Sequence, residues 1–195
     1  MSLGALHRDV KILALSMFLW EIGLTLYDPI LPIHLRQLGA QPGQIGLVYF
    51  AAYLVMALAS LPGGWLADRF ERRRIMVFFW WMGTPSVLVL AAARDWWQAI
   101  PGLSLYFLSF MAFPAINAYL THAADPRRLS TAFGLLYVTF PAAQLLGPGL
   151  GGFLAEFAGI RIVLFVSFGF YLLSALVIMR ISPQPVKSTL IRSGS

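Results

Sequence analysis

The chain runs through long apolar stretches separated by short polar gaps. The apolar runs occupy 12–32, 45–66, 75–93, 99–120, 129–154 and 162–179. Each is about 20 residues long, enough for a helix rising 1.5 Å per residue to cross a hydrocarbon layer of about 30 Å. They are apolar all round, rich in Leu, Ala and Met, and lack the strict alternation of a barrel strand, so helices are predicted. Pro62, Pro85, Pro114, Pro141 and Pro148 fall inside these runs and mark expected kinks, since each removes one backbone donor. The first run follows His7, Arg8 and Lys11 in the manner of a signal peptide. It continues through Glu21 to Pro32 without a small-residue cleavage site and is read as a span. The expected fold class is an all-α membrane protein of six transmembrane helices.

Composition supports this reading. Of 195 residues, 59% are hydrophobic and 11% charged, and charged residues make up about 25% of an ordinary soluble domain. The net charge of +6 would raise nucleic acid as a partner, but the basic residues are scattered through the gaps and form no block, so none is expected. Eleven of the fourteen Lys and Arg fall in the N-terminal segment, the second and fourth connections and the tail; only Arg36, Arg94 and Arg161 lie elsewhere. That asymmetry predicts a multi-pass protein of the cell membrane with both termini cytoplasmic. Trp96 and Trp97, in the third connection, suit the outer interface. Cysteine is absent, and His7, His34 and His122 are too far apart for metal-ligand spacing. No phosphate loop, H-E-x-x-H or G-x-S-x-G element occurs, so neither enzyme, metal nor cofactor is expected and any pumping would draw on an ion gradient.

Compared with itself, the chain repeats at an offset of 88. Gly63-Gly64-Trp65-Leu66-Ala67-Asp68 aligns with Gly151-Gly152-Phe153-Leu154-Ala155-Glu156, and Arg73 with Arg161. Three spans per copy is an odd number, so the copies would cross the membrane in opposite senses as an inverted repeat. The expected division is a first three-helix repeat over 1–93, a second over 94–182 and a flexible cytoplasmic tail over 183–195.

Between the second and third runs, Gly64-Trp65-Leu66-Ala67-Asp68-Arg69-Phe70-Glu71-Arg72-Arg73-Arg74 resembles the signature loop of the major facilitator superfamily, with Glu71 where the family usually has glycine. Gly147-Pro148-Gly149-Leu150-Gly151-Gly152 resembles an element prominent in the family's proton-driven drug antiporters. Asp125-Pro126-Arg127-Arg128 is a weaker echo of the family's loop between spans four and five. The fourth run lacks the buried arginine linked to proton coupling in such antiporters. The resemblance implies one six-helix half of a twelve-helix transporter. A second half or a homodimer partner would complete it. It also implies that Gly64, Asp68, Arg69, Arg72, Arg73 and Arg74 form a conformational latch between halves. A loop that only sets topology is the competing reading.

Several residues inside the spans carry candidate chemistry. Glu21 lies near mid-membrane, where an ionisable side chain is costly and usually faces a polar cavity. Met17, Thr25 and Asp28 share its helix face. Glu21 and Asp28 are therefore candidate proton or cation coupling sites, Asp28 being equally well placed to cap or meet water. Met17, Thr25, Tyr49, Tyr53, Ser109, Asn117 and Gln144 are candidates for a substrate cavity, with helix-helix hydrogen bonding as the alternative. Ala143, Gly147, Pro148, Gly151, Gly152 and Ala155 belong to a small-residue segment expected to pack another helix closely. The expected function is alternating-access movement of a hydrophobic or weakly polar small solute, with efflux driven by a proton gradient. The alternative is a non-transporting membrane subunit or truncated remnant.

Overall fold

The computed structural model describes residues 8–184. The expected tail falls almost wholly outside the described residues, as do Lys187 and Arg192. Ten α-helices follow one another: α1 (Arg8–Tyr27), α2 (Leu31–Gln37), α3 (Pro42–Arg69), α4 (Arg72–Gly83), α5 (Ser86–Ala92), α6 (Ala99–Leu108), α7 (Phe113–Ala123), α8 (Leu129–Tyr137), α9 (Thr139–Ala158) and α10 (Ile160–Ile178). Taken with the short 3₁₀ turns between them, they form six segments long and apolar enough to cross a membrane: Arg8–Gln37, Pro42–Arg69, Arg72–Ala92, Trp96–Ala123, Pro126–Ala158 and Ile160–Ile178. No strand is present among the described residues. Each segment contains one of the apolar runs of the sequence, to within a residue or two.

Proline explains why six spans are cut into ten helices. Pro32 has no N–H to offer the carbonyl of Asp28, and Leu31 takes it instead, tightening Asp28–Ile30 into a 3₁₀ turn. Pro114 likewise leaves the carbonyl of Phe110 to Phe113, within the 3₁₀ turn Ser109–Ala112. Pro141 cannot reach the carbonyl of Tyr137, and the fifth span divides there into α8 and α9; Pro85 separates α4 from α5. The expected kinks thus coincide with breaks at Pro85, Pro114 and Pro141. Pro62 and Pro148 lie inside continuous helices. Gly159, at φ 79°, closes α9 in a conformation that a side chain would disfavour.

The first span is the best covered. It packs along α9 and α10, while the fourth span packs against α3 and against α4 and α5, and the third span meets α10. Close approach depends on glycine. A Cβ at Gly147 would collide with Thr25, and one at Gly151 with the carbonyl of Leu26. The residue aligned with Gly151 in the repeat, Gly63, sits against Met111 of the fourth span, where a Cβ would lie 2.8 Å from its carbonyl oxygen. Ala143 is buried and accepts from Thr25 Oγ1 at 3.2 Å, Ala155 is half-buried, and Gly152 faces open space.

Between these helices runs an aromatic core. Trp20 stacks on Tyr171 at 4.3 Å between ring centroids and on Tyr106 at 5.9 Å. Such pairs contribute about 0.5–1.5 kcal/mol each beyond the area they bury. Ser174 joins three spans by donating to the Ser16 carbonyl at 2.6 Å and accepting from Trp80 Nε1 at 2.8 Å. The second and fifth spans are the least covered, with 17% and 22% of their apolar windows buried against 67% for the first.

Candidate functional site

A cavity of about 380 Å³ opens on the side where the second and fifth spans are exposed. This is within the usual size range of small-molecule sites. From α1 come Met17, Glu21 and Leu24, with Asp28 at the turn that follows. The second span gives Tyr53 and Met56. Tyr106, Phe107, Phe110 and Phe113 form the fourth-span wall, and Leu136, Tyr137, Thr139, Phe140 and Gln144 the fifth. The broken stretches of three spans all lie on this wall: Asp28 in the first, Phe110 in the fourth, and Tyr137 and Thr139 flanking the break in the fifth. Irregular backbone at membrane depth persists where it lines a cavity or is buried in protein.

The lining combines two chemistries. On the α1 side, Glu21 and Asp28 are the only charged residues in the lining, and neither carboxylate has a hydrogen-bond or salt-bridge partner among the described residues. Glu21 lies 13 residues beyond Arg8, roughly 20 Å along the helix. Along the second and fourth spans the rings run in a ladder, and Glu21 shares a narrow cleft with Phe110 and Phe113. Tyr53 meets Phe107 at 4.9 Å, Phe107 meets Phe110 at 5.6 Å, and Phe110 stacks on Phe113 at 4.8 Å and 15°.

The cavity gathers Met17, Glu21, Asp28, Tyr53 and Gln144 from among the residues singled out in the sequence. The remaining four lie off its lining. Thr25 is buried against α9, its hydroxyl donating to the carbonyls of Glu21 and Ala143. Ser109 turns back to the Tyr106 carbonyl at 2.6 Å, which satisfies its hydroxyl within the 3₁₀ turn. Tyr49 stands behind Tyr53, its ring 6.2 Å away, and Asn117 accepts from the Tyr137 hydroxyl at 3.5 Å. All four take part in helix-helix or local contacts, and Ser109 also lines the narrow cleft that holds Glu21 and Phe110. The aromatic ladder is not legible in the sequence, because rings at helical spacing also describe an ordinary core. The spacing of 106, 107, 110 and 113 was its one signal.

The arginine-rich loop forms a second constellation. Arg72 donates to the Ala118 carbonyl and to Gln184 Oε1, both at 3.3 Å, and Arg73 donates to the Met179 carbonyl at 2.7 Å. Arg72 thus meets a carbonyl in the middle of α7, and Arg73 the carbonyl of the residue that caps the C-terminal end of α10, where the helix dipole favours positive charge. Nearby, the Tyr119 hydroxyl bonds to Asp9 Oδ2 and the Ser182 carbonyl, both at 2.9 Å. Arg74 pairs with Glu71 at 2.8 Å, and Arg69 lies 4.6 Å over the Trp65 ring. Asp68 is exposed and Gly64 faces open space.

Residues 13–194 match the family model of the Major Facilitator Superfamily. The chain belongs to that superfamily. It is 32% identical over 166 residues to the multidrug resistance protein MdtG of Salmonella paratyphi A, covering 82% of this chain and 41% of MdtG. It is 26% identical over 156 residues to the quinolone resistance protein NorA of Staphylococcus aureus, covering 77% of this chain and 39% of NorA. The chain thus spans about two-fifths of the length of these relatives. Among solved structures, the POT family transporter PepTSo superposes with a TM-score of 0.80 at 16% identity, over 93% of this chain and 39% of that one. The human organic anion transporter MFSD10 superposes with a TM-score of 0.71 at 19% identity, over 88% and 46%. These likenesses establish the fold: a multi-pass, six-helix unit of the superfamily.

Proposed function

We propose that this chain forms one six-helix body of a transporter that moves a small, largely apolar solute across the cell membrane by alternating access. The observation that carries the proposal is the cavity beside Glu21 and Asp28, walled by the broken stretches of three spans. Membership of the superfamily and likeness to proteins named for multidrug and quinolone resistance support export as the direction. Glu21 takes up and releases the coupling proton, and solute leaves against the inward proton flow. Residues 1–93 and 94–182 act as two inverted three-helix repeats. The pairing of the first span with the fifth and sixth, mirrored by the fourth with the second and third, supports that division. A second six-helix half, or a second copy of this chain, covers the exposed sides of α3 and α9.

The test is solute movement in proteoliposomes under an imposed pH gradient. Gradient-driven transport is expected to disappear in Glu21→Gln while the protein still inserts and elutes as a single species. Unchanged gradient-driven transport in that variant would remove Glu21 from coupling. For the loop, Asp68→Asn is expected to abolish transport with normal insertion, and full activity would refute the latch.

A further inference from the structure

The internal repeat gives the arginine-rich loop a counterpart at the far end of the fifth span. At the offset of 88 residues Gly63 falls on Gly151, Trp65 on Phe153, Asp68 on Glu156, Arg73 on Arg161 and His34 on His122. The packing follows the same correspondence. Gly63 of the second span is seated on Met111 of the fourth, and Gly151 of the fifth on Leu26 of the first, so each long span lies on a broken span of the other repeat. Five residues beyond each glycine a carboxylate stands in the last turn of its helix, Asp68 in α3 and Glu156 in α9. Both are exposed, and neither has a hydrogen-bond or ion-pair partner among the described residues. Trp65 and Phe153, beside them, are exposed as well. The two arginines also correspond: Arg73 acts electrostatically on Tyr119 near the end of the fourth span, and Arg161 on His34 near the end of the first. Three crossings, an odd number, separate the two sites, so they occupy opposite membrane faces.

We infer that Glu156 docks on the N-terminal end of a helix in a second six-helix body, with Phe153 packed beside it, and so forms a second latch at the face opposite Asp68. The inference rests on the transporter reading above, in which Asp68 latches the two bodies. A carboxylate in the last turn of a helix sits against the negative end of its own dipole, and a helix N-terminus supplied from outside reverses that interaction. The last turn of α9 holds no basic residue to compensate. Glu156 also stands on the uncovered side of the molecule, where Leu145, Leu150 and Phe157 of α9 are each more than half exposed. The occupant is a six-helix body because the relatives extend well past the matched part, which is 41% of MdtG. The departures from the repeat fit the placement. Arg69, Arg72 and Arg74 correspond to Phe157, Ile160 and Ile162, which leaves the far connection one positive charge, as the charge bias between membrane faces favours. Because α3 and α9 carry their carboxylates at opposite faces, rocking that closes one contact opens the other. Each contact holds the cavity shut toward its own face.

The experiment reads the face to which the cavity opens. The chain has no cysteine, so Gln144→Cys places a single reporter in the cavity lining, in native membranes prepared as right-side-out and inside-out vesicles. The ratio of labelling rates by a membrane-impermeant maleimide from the two faces measures the balance of the two open forms. Glu156→Gln is expected to shift that ratio roughly threefold or more toward the face of Glu156, and Asp68→Asn by a similar factor toward the other. Glu156→Asp keeps the charge and should stay near the parent ratio, whereas Glu156→Lys, which repels a helix N-terminus, should shift it further than Glu156→Gln. The double variant of Glu156→Gln with Asp68→Asn should return close to the parent. A shift in Asp68→Asn with none in Glu156→Gln, or with both in one direction, would overturn the second latch and leave the transporter reading standing. A shift in Glu156→Gln alone would keep the contact at Glu156 and remove the latch at Asp68. Labelling from one face only in every variant would overturn alternating access and the second latch with it.

Discussion

At the scale of single residues, the fold turns on the absence of a side chain at two places on α9. Gly147 and Gly151 lie against Thr25 and Leu26 so closely that any Cβ would overlap them. Gly149, on the same helix, has open space where a Cβ would point. Gly151→Ala is therefore expected to lower the thermal midpoint in detergent by roughly 5 °C or more, and Gly149→Ala to leave it in place, as read by size exclusion after heating. Ser174 is a second such point. Ser174→Ala leaves the Trp80 indole N–H without its acceptor, and a loss of about 1 kcal/mol is expected in reversible unfolding. Glycine at four-residue spacing made the first contact legible in the sequence. The second was not, because nothing in the composition of a serine in an apolar run says which of several neighbouring helices it will face.

At the scale of elements, the spans were legible and their interruptions only partly so. Apolar runs of about 20 residues have one solution in a bilayer, so all six helical spans follow from length and hydropathy alone. The breaks depend on which prolines a neighbouring helix can accommodate. Pro62 and Pro148 leave α3 and α9 continuous, whereas Pro32, Pro114 and Pro141 accompany breaks where the first, fourth and fifth spans border the cavity. The same logic accounts for the unforeseen part of the site. Phe107, Phe110 and Phe113 are aimed by the 3₁₀ turn Ser109–Ala112, a feature of backbone geometry that the sequence marks only by Pro114. Pro114→Ala restores the missing donor to Phe110 and should join α6 to α7 in one straight helix. The expected result is equal or higher thermal stability together with a loss of gradient-driven transport in proteoliposomes, measured on the same preparation. Retained transport would show that the turn does not set the ladder.

For the molecule as a whole, the question is which surfaces meet lipid and which meet protein. Leu61 on α3 and Leu145 on α9 are 77% and 83% exposed, but so in part is Phe165 on α10, at 53%. In a bilayer, exposure alone distinguishes nothing, because lipid covers apolar side chains as well as protein does. Position does. The spans that carry Leu61 and Leu145 border the cavity's open side, and a pathway for solute needs a protein wall there, whereas α10 lies on no side of the cavity. Because the chain has no cysteine, single-cysteine variants report one position at a time without further engineering. Leu61→Cys and Leu145→Cys are expected to form cross-links with a second six-helix body in native membranes, and Phe165→Cys to label with lipid-soluble maleimide and form none. Cross-linking from Phe165 alone would move the protein-facing surface to α10 and leave the cavity open to lipid, a geometry in which alternating access could not operate.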